Sequence, residues 1–126
     1  ERAVAEARQI AESAAADLRH VVVAQVPAED DRAALQAALK VIADKCPGAA
    51  TLLASTSADR VALIAQVPEP LIKQGLKAGE WIRATAEVCD GKGGGKPNQA
   101  QGGGTDPSKV RDAIKKAEAF AWSALG

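Results

Sequence analysis

The sequence predicts a mixed α/β domain: a single mixed sheet with flanking helices, and an N-terminal helix free to project as the end of a helical linker. Three observations predict it. The runs Val21-Val22-Val23 and Val61-Ala62-Leu63-Ile64 are apolar throughout and rich in β-branched residues, which marks strands buried on both faces. Around them, apolar residues recur at three- and four-residue steps, the period of helices with one buried side. At 126 residues the chain is long enough for one domain with its own core. Residues 1–19 read as the linker, or the end of a helical hairpin, and residues 20–126 as the globular part.

Taken in order, Glu1 to Leu18 is a helix whose thin apolar stripe runs through Val4, Ala7, Ile10, Ala14 and Leu18. Such a chain opening, inside a helical pattern, is expected of a fragment of something longer. His20 to Val26 is a strand stopped by Pro27, and the lone His20 at its mouth reads as structural. Ala28 to Lys45 is a helix with Glu29, Asp30 and Asp31 in its first turn, where carboxylates complement the helix dipole. Leu35, Ala38, Leu39, Ile42 and Cys46 form its buried stripe, and Pro47-Gly48 ends it. Thr51 to Ser57 and Arg60 to Val67 are strands whose short connection makes them an antiparallel hairpin. Pro70 to Asp90 is helical with a break near Gly75 or Gly79. Asp106 caps the last helix and Pro107 opens it, with Val110, Ala113, Ile114, Ala117, Ala121 and Leu125 facing inward.

The core must be built from small aliphatic side chains, because aromatic residues make up only 2% of the chain; Trp81, Phe120 and Trp122 are its few large pieces. If Trp81 is buried, its indole N–H needs a polar partner. Net charge is zero, so no global field draws the chain to nucleic acid, but lysines gather after residue 91 while the first half leans acidic. Cys46 and Cys89 are too far apart in sequence for a metal motif and read as small buried thiols. No apolar run is long enough to span a membrane.

Between two helical patterns lies a glycine-rich loop, residues 91–104, Gly-Lys-Gly-Gly-Gly-Lys-Pro-Asn-Gln-Ala-Gln-Gly-Gly-Gly. Glycine lets a ligand or another backbone come close, and Lys92, Lys96, Asn98, Gln99 and Gln101 place donors beside it, a combination suited to phosphate oxygens. Other readings of the composition are a flexible linker or a tight turn against the chain's own sheet. It is neither a P-loop, lacking Gly-Lys-Ser/Thr, nor a Rossmann turn, since it follows a helix. No serine–histidine or cysteine–histidine grouping is visible, so a catalytic centre is not expected.

This stretch resembles the glycine-rich motif that closes the C-terminal (C-Ala, DHH-associated) domain of alanyl-tRNA synthetases. Gly75-Leu76-Lys77-Ala78-Gly79-Glu80-Trp81-Ile82 is similar to that family too, at the right distance upstream, and the resemblance runs from Leu35 to Leu125. The related domain of DHH phosphoesterases carries a histidine after the glycines; Lys96 stands there, which argues for the synthetase branch. The resemblance implies a domain that binds tRNA(Ala) at its elbow, couples aminoacylation to editing, and works beside the rest of a cytoplasmic, ATP-dependent alanine–tRNA ligase. No cofactor, metal, membrane or catalytic residue is expected in this part. The surface that would meet RNA is Lys77, Lys92, Gly93, Gly94, Gly95, Lys96, Asn98, Gln99 and Gln101, expected on one concave face. The alternatives are a protein-interaction or homodimerisation module, and a domain binding other nucleic acid without a tRNA role.

Overall fold

The computed structural model describes residues 2–17, 19–29 and 31–126; Glu1, Leu18 and Asp30, assigned above to the first helix and the acidic triplet, lie outside the described residues. Three strands form the apolar centre: β1 (Val21–Gln25), β2 (Ala50–Thr56) and β3 (Val61–Gln66). β1 and β2 are parallel and are connected through α2 (Arg32–Lys45), while β2 and β3 form the antiparallel hairpin expected from their short connection. Both faces of β2 and β3 are buried, which is why their sequences carry no polar alternation. α2 starts later than its sequence pattern implies. Glu29 has φ +50°, outside the right-handed helix, and Asp31 is the N-cap, its carboxylate accepting from the Ala34 N–H.

α1 (Arg2–Ala16) lies against α2 and does not project. Its buried stripe is Ala3, Ala7, Ala11 and Ala14, while Val4 and Ile10 are only half-buried. Side chains without bulk let two helices approach closely, so alanine and not the larger residues faces the partner. Together α1 and α2 cover one side of β1 to β3, packing on Val22, Leu53, Ala62 and Ile64.

The other side is covered by α3 (Glu69–Gln74), α4 (Ala78–Val88) and α5 (Val110–Leu125). The expected helical break falls at Gly75, whose φ of +122° ends α3 and where a Cβ would sit 2.9 Å from the Ala124 carbonyl oxygen. Gly79 is no break; it lies in the first turn of α4. Trp81 is fully buried and its Nε1–H donates to the Ala117 carbonyl at 2.8 Å. Trp122 is 55% exposed, so it is not the core residue the sequence suggested: it falls one position from the Ala113–Ala117–Ala121 stripe that faces the sheet. Asp106 caps a short 3-10 turn, Pro107–Lys109, that leads into α5. Cys46 and Cys89 are free, buried thiols on opposite sides of the sheet.

The glycine-rich stretch is not a loop. It folds into two further strands, β4 (Gly91–Gly95) and β5 (Gln99–Gly104), joined by Lys96-Pro97-Asn98. Among the described residues the sheet therefore has five strands in the order β1-β2-β3-β5-β4, antiparallel from β2 onward. No helix of the described residues is long and apolar enough to cross a membrane.

Candidate nucleic-acid interface

Side chains alternate across a strand, so the hairpin has two unlike faces. Gly91, Gly93, Gly102 and Gly104 face α4. A Cβ at Gly93 or Gly102 would sit 2.5 or 2.6 Å from the Ile82 Cγ2, and one at Gly104 would sit 2.3 Å from the Cys89 carbonyl oxygen. Across the same contact, a Cβ at Gly79 would sit 2.7 Å from the Gly95 carbonyl oxygen. Most of these glycines therefore serve packing: α4 rests directly on backbone. Burial pushes the Cys89 thiol pKa up, so it stays a neutral thiol in this contact.

The other face carries Lys92, Gly94, Gln99, Gln101 and Gly103. Gly94 pairs with Gln101, and Gln101 pairs with Ile64. Ile64 is covered by the α1–α2 layer, whereas Gln101 is exposed. The layer thus ends over β3 and, apart from Arg32 at the start of α2, leaves β5 and β4 bare on that side. A Cβ at Gly94 would meet nothing within 4 Å. Its φ is not positive, so neither packing nor backbone geometry requires glycine there.

The expected site residues divide into three groups. Lys92, Gly94, Gln99 and Gln101 share the bare face, while Gly93 and Gly95 face the α4 side. Lys96 and Asn98 lie in the turn, which is tied back by hydrogen bonds from the Ala78 N–H to the Pro97 carbonyl (2.8 Å) and from the Val67 N–H to the Asn98 carbonyl (2.9 Å). Lys77, the N-cap residue of α4, stands beside this tip. Four strand steps, about 13 Å, separate Lys92 from Lys96. A single concave surface holding all nine is therefore not what the fold provides; it provides a charged tip and a bare face with Lys92 at its far end.

Two cations escaped the sequence reading. Arg32, the first residue of α2, donates from Nη2 to the Gly102 carbonyl at 3.1 Å. Arg60 precedes Val61, which pairs with Gly104. No linear signal could reveal them, because both come beside Lys92 only through the register of β3, β5 and β4. Among the described residues, no three His, Cys, Asp or Glu side chains gather as a metal set.

The DHHA1 domain family model matches residues 18–123. The chain is 39% identical over 107 residues to the cytoplasmic alanine–tRNA ligase of Drosophila melanogaster, covering 83% of this chain and 11% of that protein. It is 45% identical over 97 residues to the alanine–tRNA ligase of Microcystis aeruginosa, covering 75% and 11%. It thus spans about a tenth of the length of these relatives. The C-Ala domain of Aquifex aeolicus alanyl-tRNA synthetase superposes with a TM-score of 0.66 at 25% identity, over 85% of this chain and 90% of that one. RecJ from Thermus thermophilus shares the fold alone, with a TM-score of 0.59 at 16% identity, over 94% of this chain and 18% of that one. The bare-faced glycine hairpin on a mixed sheet is thus the work of a chain that belongs to the DHHA1 domain family and, within it, is similar to the C-terminal domain of alanyl-tRNA synthetases.

Proposed function

We propose that this chain binds tRNA(Ala) as the C-terminal domain of an alanyl-tRNA synthetase, holding the tRNA elbow and so coupling aminoacylation to editing elsewhere in a cytoplasmic ligase. The observation that carries the reading is the bare face of the glycine hairpin, in a chain similar to alanine–tRNA ligases along most of its length. Backbone without side chains admits a bulky sugar–phosphate strand. Lys92 supplies charge and Gln99 and Gln101 supply oriented donors, which suits backbone and shape rather than base sequence. With zero net charge, only a few phosphates are neutralised. Filter binding of labelled tRNA(Ala) across salt concentrations should therefore give a shallow slope, on the order of two to four phosphates. Absence of tRNA binding at low salt would refute the reading.

A second reading, a protein-interaction or homodimerisation module, is favoured by Trp122, exposed on α5 beside the chain's end. Sedimentation separates the two: under this reading the chain associates without RNA, and Trp122→Ala abolishes the association.

A further inference from the structure

Where the hairpin meets β3, at the end opposite the tip, the sheet borders a cleft of about 570 Å3. Arg32, Arg60, Lys92 and Asp90 line it, above the backbone of Gly103 and Gly104. We propose that this cleft grips one phosphodiester group of the RNA backbone, with Arg32 and Arg60 as its principal ligands. The inference rests on the RNA-binding reading above and adds to it a place and two residues.

Three observations support it. The first is convergence: the cations come from the start of α2, the start of β3 and the second residue of β4, so only the folded chain brings them together. Among the described residues none of the three is in an ion pair, whereas Asp90, the carboxylate in the lining, lies 3.9 Å from the Lys109 ammonium. The second is orientation. The Arg32 hydrogen bond to the Gly102 carbonyl fixes its guanidinium over the glycine floor and leaves other N–H groups of the fork for an anion. The third is the floor itself. A Cβ at Gly103 would stand 3.4 Å from the Arg32 Nη2 and 2.7 Å from the Val61 carbonyl oxygen, so a side chain there would occupy the space beside the guanidinium. Forked donors over a side-chain-free floor match the oxygens of a phosphate. No aromatic side chain lines the cleft, so it has no platform for a stacked base.

The test replaces Arg32 and Arg60, both exposed, by glutamine, singly and together, and leaves Lys92 of the hairpin face in place. With tRNA(Ala) transcript, the double variant should bind about tenfold more weakly at low salt, with the salt slope reduced by about one, the share of a single phosphate. Arg60→Lys should retain the slope. In the wild-type chain, tRNA should shift the amide resonances of Gly103 and Gly104. Wild-type affinity and slope in a folded double variant, or unmoved Gly103 and Gly104 resonances on binding, would overturn the cleft while leaving RNA binding by the hairpin face standing. A wild-type chain that fails to bind tRNA overturns both.

Discussion

Gly94 and Gly102 belong to one hairpin, yet a methyl group meets opposite surroundings at the two. At Gly102 it would press on the Ile82 Cγ2 at 2.6 Å and on the Lys92 carbonyl oxygen at 2.9 Å; at Gly94 it would enter open space. Gly102→Ala should therefore destabilise by about 1–3 kcal/mol, as overpacking does. Gly94→Ala should leave stability unchanged or raise it by up to about 1 kcal/mol, since the extended backbone suits alanine and the unfolded chain loses freedom. Urea denaturation of the two variants checks this, and equal losses at both positions would contradict the two-faced hairpin. The sequence alone could not separate these glycines, because their roles differ only by strand alternation, and nothing in a run of glycines betrays a strand.

At the scale of elements, the contact between α4 and the hairpin governs the site. Trp81 anchors α4 on α5 through full burial and its bond to the Ala117 carbonyl. Trp81→Ala should cost about 3–5 kcal/mol in a thermal or urea melt; an unchanged melt would mean that the indole anchors nothing. The apolar runs announced β1, β2 and β3, and helical periodicity announced α2 and α5, because side-chain burial writes a period into the sequence. β4 and β5 lack that period: their inward positions are mostly glycine, and burial of backbone leaves no hydrophobic mark. The position of α1 was hidden for a related reason. An alanine stripe fits a projecting linker as well as a close helix pair, and only the complementary surface of α2 decides.

For the molecule as a whole, the two helical layers are unequal in reach. One covers the sheet from β1 across to β4; the other stops over β3 and leaves the hairpin's second face bare. Lys92, Lys96, Asn98, Gln99 and Gln101 were legible as candidates because amides and lysines stood among glycines, but Arg32 and Arg60 needed the sheet order to join them. We propose above that RNA docks on this bare face. That claim is tested most directly by Gly94→Val, which fills the face without touching a charge or the packed side of the hairpin. The expected result is an unchanged melting temperature, tRNA(Ala) affinity reduced about tenfold, equivalent to about 1.4 kcal/mol, and an unaltered salt slope. Wild-type affinity in a normally folded Gly94→Val chain would contradict the claim.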